Sequence, residues 1–191
     1  MKAGRLEAFT DGVVAIIITI AVLELPVPHG HDLAALRASA PILLAYVLSF
    51  VNVGIYWNNH HHMLHATDKI DGSVLWANLF MLFWLSLAPW VIRWLDETSF
   101  DAMPTAAYGL IFGMAAIGYI WTQARIIAVN GPGSAVAEAV GADLKGKISL
   151  AGYFCAIPIA FASRWVADAI YIAIAVLWLV PDRRIERELR H

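Results

Sequence analysis

Six largely apolar runs, the shortest of 16 residues and the longest of 27, recur along the chain and decide what it can fold into. Crossing about 30 Å of hydrocarbon takes about 20 helical residues. The runs predict helices over residues 5–25, stopped by Pro26 and Pro28, then 36–62, 69–95 and 104–129, the last just ahead of Asn130-Gly131-Pro132-Gly133. Two shorter helices are expected over 145–162 and 165–180, parted by Ser163-Arg164 and closed by Pro181. Each run satisfies its own backbone hydrogen bonds as a helix, which lipid demands. Ten-residue alternation, the mark of a membrane barrel, is absent. The expectation is an all-α membrane protein with six transmembrane helices in one domain over residues 1–181, followed by a short charged tail, 182–191.

Composition agrees. Hydrophobic residues make up 60% of the chain and charged residues 15%, with mean hydropathy +0.67. Soluble domains run at roughly 45–50% and 25%. Eight Trp residues fit a chain with two membrane interfaces. A net charge of -2 argues against a nucleic-acid partner. Cys155, the only cysteine, has no partner in the chain for a disulfide. The first apolar run ends in Glu24-Leu25-Pro26 without a small-residue cleavage site, so it is expected to be a retained helix rather than a signal peptide. Six spans put both ends on one side, and that arrangement leaves only Arg37, Arg93 and Arg164, of 13 Lys and Arg, on the other. The bias predicts cytoplasmic termini in the cell's inner membrane. The tail is then cytoplasmic, and Asp32, Asp96, Glu97, Asp101 and Asp168 form an acidic outer face.

The first helix carries the most information. At 100° per residue, Phe9, Gly12, Ile16, Thr19, Ile20 and Leu23 share one smooth, uncharged face. Such a face can pack on another helix, meet lipid or line a pore. Asp11 lies about 140° from Ile16 and needs donors within protein. Those donors are available at the same end. Tyr56-Trp57-Asn58-Asn59-His60-His61-His62 closes the second helix, and Trp76 and Asn78 open the third. His60 or His61, Trp76 and Asn78 are expected to reach Asp11 and Thr10. Asp68 and Asp71 are expected to cap the third helix. Three adjacent histidines cannot all face one ion, whereas His61 and His65 share a face at zinc-helix spacing. A third ligand with a matching motif is missing from the sequence, so no metal is expected.

Arg5-x-x-x-Phe9-Thr10-Asp11-Gly12, followed by Ala15-Ile16, Thr19 and Leu23-Glu24, resembles the signature of the transmembrane protein 175 potassium-channel family, Arg-x-x-x-Phe-Ser-Asp. Tyr56-Trp57-x-x-His60-His61 and Trp76-x-Asn78 are similar to its second- and third-helix signatures. Thr10 replaces the usual serine and keeps the hydroxyl. The resemblance covers about the first 95 residues. It implies a six-helix subunit whose first helix lines a central pore, a homotetramer for a single-repeat chain, and potassium as the permeant ion. It also implies a constriction at Ile16, further apolar rings at Ile20 and Leu23, a selectivity layer at Thr19, and an anchoring network of Arg5, Phe9, Thr10, Asp11, His60, His61, Trp76 and Asn78. The expected activity is moderately potassium-selective conduction through a hydrophobic constriction, in a lipid bilayer and without a cofactor. The alternative is a proton- or metal-coupled transporter using Asp11 and the His60–His65 cluster. Paired catalytic acids at metal spacing and a Ser–Lys pair in the spans are missing, so no enzyme is expected.

Overall fold

The computed structural model describes residues 3–67, 69–141 and 143–179, and these are helical throughout apart from turns and connections. In chain order they form α1 Ala3–Leu23, α2 Leu33–Ala38, α3 Ala40–His65, α4 Gly72–Leu85, α5 Ala88–Glu97, α6 Ala102–Asn130, α7 Ala135–Val140, α8 Leu144–Ala162 and α9 Arg164–Leu179. Asp68 and the expected tail, 182–191, lie outside the described residues.

Five helical stretches among the described residues are long and apolar enough to cross a membrane: Ala3–Leu23, Ala40–His65, Gly72–Glu97, Ala102–Asn130 and Leu144–Ala162. The expected sixth span corresponds to α9, whose described part has 16 residues, short for a full crossing.

Aspartates start many of the helices. Asp32, Asp71, Asp101 and Asp143 each accept a hydrogen bond from a backbone N–H of the helix that follows. Asp71 takes two, from Ser73 and Val74, and also accepts from the Ser73 hydroxyl. These bonds hold its carboxyl below the usual carboxylate range.

Proline divides two of the expected helices. Pro41 opens α3, which splits the expected 36–62 run into α2 and α3 about Ser39. Pro89 opens α5 after a break at Ser86-Leu87, so the expected 69–95 helix becomes α4 and α5. A proline has no N–H to give and clashes with the carbonyl four residues back, which favours a helix start over continuation. At the α8–α9 corner Ser163 is extended, and Arg164 donates to the carbonyls of Ser99 and Phe100 in the α5–α6 corner.

The core sits around α6, which packs along α4 on one side and α8 on the other, with α9 beside α8. Tyr108, Phe112, Tyr153 and Tyr171 stack there, all buried. Their hydroxyls are paired where they would be costly: Asn52 donates to Tyr108, and Tyr171 donates to the Thr105 carbonyl. Gly118 lets α6 touch the backbone of α4. A Cβ there would stand 2.7 Å from Met81 Cα and 2.8 Å from Met81 N. In a membrane, small residues make such approaches possible.

Candidate functional site

Among the described residues, α1 is covered by its own chain on one face only. Leu6, Thr10, Val14, Ile17 and Ala21 are buried at spacings of three and four, against α3, α4 and α5. The opposite stripe is open: Phe9 is 52% exposed, Ile16 59%, Ile20 43% and Leu23 80%. Gly12 and Thr19 on the same stripe are exposed too.

Polar contacts hold the buried face. Thr10 and Asn78 are both fully buried, and Asn78 Nδ2 donates to Thr10 Oγ1 at 3.0 Å. Asp11 accepts from Trp57 Nε1 at 2.8 Å. One turn earlier, Glu7 Oε1 lies 2.7 Å from His61 Nδ1 and 3.5 Å from His65 Nδ1. At the other end of α1, Arg93 donates to Glu24 at 2.9 Å while also holding Glu97. Both ends of the helix are therefore tied, the first to α3 and α4 and the second to α5.

This differs from the sequence expectation in its donors. Asn78 reaches Thr10, but the donor to Asp11 is Trp57, four residues before His61 and on the same face of α3. An indole N–H can only donate, and that requirement was a usable signal. Trp76 is 71% exposed, because two residues along a helix is a 200° turn from buried Asn78. His61 turns to Glu7 rather than Asp11. His60 is buried beside Asn78, and its Nε2 makes no well-formed hydrogen bond. Arg5 is exposed. The histidines also acquire the third ligand that the sequence had not supplied: Glu7, His61 and His65 offer ligand atoms within 4.8 Å of one another.

Thr19 makes its bonds within the helix. Its hydroxyl donates to the carbonyls of Ala15 and Ile16 at 3.0 and 2.9 Å. The one hydroxyl hydrogen is thus shared between backbone carbonyls, and the exposed oxygen keeps its lone pairs free to accept.

Fold and site together define a multi-pass helical membrane protein with one apolar face of its first helix left uncovered among the described residues. The family model described as endosomal/lysosomal potassium channel TMEM175 matches residues 5–89. A protein of Chryseobacterium sp. (strain P1-3), named a potassium channel, is 47% identical over 190 residues, covering 100% of this chain and 99% of its own. One from Streptomyces collinus, also named a potassium channel, is 34% identical over 62% of this chain and 61% of its own. The crystal structure of a lysosomal potassium-selective channel TMEM175 homologue from Chamaesiphon minutus shares the fold, with TM-score 0.77 over 93% of this chain and 96% of that one, at 24% identity. The chain belongs to the TMEM175 family, in its prokaryotic branch. The family and these relatives are channels rather than enzymes, and so is the class to which this chain is assigned.

Proposed function

We propose that this chain is the subunit of a potassium channel in which four copies bring their α1 stripes around a common axis. The observation that carries the reading is the one-sided burial of α1: the face with Thr10 and Asp11 is anchored within the subunit, and Ile16, Thr19, Ile20 and Leu23 remain uncovered. The names of the relatives support potassium as the permeant ion. In this reading Ile16 forms the narrowest ring, with Ile20 and Leu23 as further apolar rings. A narrow apolar neck empties of water, and an ion does not cross it unhydrated until slight widening lets water back. Thr19 supplies four hydroxyl oxygens with lone pairs toward the axis, which replace part of the shell of an ion that sheds water readily. This arrangement gives a moderate preference for potassium over sodium. Gly12, with open space where a Cβ would stand, leaves the mouth of the path wide. The six-span domain, residues 1–181, sits in the cell membrane with both termini and the 182–191 tail in the cytoplasm.

Protein reconstituted in liposomes should pass potassium faster than sodium, and its mass in detergent should equal four chains. Ile16→Asn should wet the neck and raise potassium flux. Unchanged flux in Ile16→Asn, in protein that folds and assembles as the wild type does, removes Ile16 from the constriction.

A further inference from the structure

We propose that Glu7, His61 and His65 form a binding site for a divalent transition-metal ion of the zinc class, bridging α1 and α3. Glu7 comes from the first turns of α1, and the two histidines come from the last two turns of α3, one helical turn apart. Their ligand atoms lie within 4.8 Å of one another. Around a tetrahedral ion with bonds of about 2.1 Å, ligand atoms stand about 3.4 Å apart. The Glu7 Oε1–His65 Nδ1 separation of 3.5 Å already fits. The Glu7 Oε1–His61 Nδ1 separation of 2.7 Å has to open by about 0.7 Å, within reach of side-chain rotation.

The convergence itself argues for a cation. An ion pair with Glu7 needs one imidazole. Here two imidazoles, 4.2 Å between ring centres, both turn Nδ1 to the same carboxylate oxygen. Two protonated rings at that distance would repel, whereas two neutral rings and a carboxylate are a set that a divalent ion draws together. Two nitrogens and one oxygen select zinc, cobalt or nickel over magnesium or calcium, which take oxygen ligands. Three protein ligands leave a fourth position for water. The side chain of His65 is 56% exposed, so the ion has a way in. His61 is also held in orientation, because its ring stacks on Trp57, whose indole N–H is fixed by Asp11. His62 meets His61 edge-on and stays out of the set.

The test uses full-length protein in detergent, stripped with chelator and titrated with zinc chloride against a chromophoric zinc chelator. One zinc per chain should bind with a Kd of about micromolar or tighter. Glu7→Gln and His65→Asn should each weaken binding at least about tenfold. His29→Ala with His31→Ala, in the loop beyond the far end of α1, should leave binding unchanged. Zinc should also raise the melting temperature of the wild type, and His65→Asn should lose that rise. His65→Gln gives the same comparison if His65→Asn purifies poorly. Absence of saturable binding overturns the proposal. So does binding that survives both Glu7→Gln and His65→Asn, or that disappears with His29 and His31.

Discussion

The Thr10–Asn78 contact allows an asymmetric prediction. Both side chains are fully buried, and the bond is 3.0 Å long. Thr10→Val keeps the shape and removes the hydroxyl. The Asn78 amide then has no acceptor, and its Oδ1 already lacks a well-formed partner. Leaving such a group buried costs about 1–3 kcal/mol. Asn78→Leu keeps the branched shape and removes amide donor and acceptor together. The Thr10 hydroxyl is not stranded, because a helical threonine can donate to the carbonyl four residues back. Thr122, inside α6, does so here at 2.8 Å, and Thr67 and Thr98, just past the ends of α3 and α5, do so at 2.6 and 2.7 Å. Thr10→Val should therefore cost about 2 kcal/mol and Asn78→Leu about 1 kcal/mol. The double variant should sit near Asn78→Leu alone, with a coupling of about 2 kcal/mol between the two sites. Reversible unfolding in mixed micelles, titrated with a denaturing detergent, measures all four corners of the cycle. Equal costs for the single variants, or strict additivity in the double, would refute the reasoning about which partner can satisfy itself.

Three further outcomes follow from other parts of the molecule. Thr19→Val, which removes the outward oxygen and keeps the shape, should lower the potassium-over-sodium permeability ratio in reversal-potential measurements; an unchanged ratio counts against the hydroxyl layer. Gly118→Ala drives a methyl into the α4 backbone at Met81 and should destabilise by about 1–3 kcal/mol, read as a lower unfolding midpoint in the same micelles. Asp71 has its folded-state titration lowered, so its capping contribution is complete above the ordinary carboxylate range and is lost as pH falls through the lowered value. The melting-temperature gap between wild type and Asp71→Ala should thus be constant near neutral pH and close only in strong acid; a gap that closes on the alkaline side would contradict the cap.

What the sequence makes legible follows from what lipid imposes. Apolar length, with the prolines and glycines that interrupt it, locates α1, α6 and α8 to within a few residues, because each must close its own hydrogen bonds. Whether a proline bends a helix or starts a new one is a matter of local backbone geometry, which is why Pro41 and Pro89 mark breaks that apolar length alone does not show. The partners of α1 were harder to read for another reason. α3 is apolar on most sides, so its pattern does not fix how it is rotated about its axis. That rotation decides whether the face with Trp57 and His61 meets α1 at all, and the position of α3 along its axis, one turn either way, decides which of the two meets Asp11 and which meets Glu7. Glu7 also carries no local signal, since its partners lie 54 and more residues away in sequence.

The two-ended fastening of α1 has a mechanical consequence. A rod clamped at one end can swing like a lever, but this one is gripped by α3 and α4 near Thr10 and by Arg93 at Glu24. Its stiffness against hinging is borrowed from the whole subunit. Displacement of its middle, where Ile16 sits, therefore requires the rod to roll, bow or travel together with its supports.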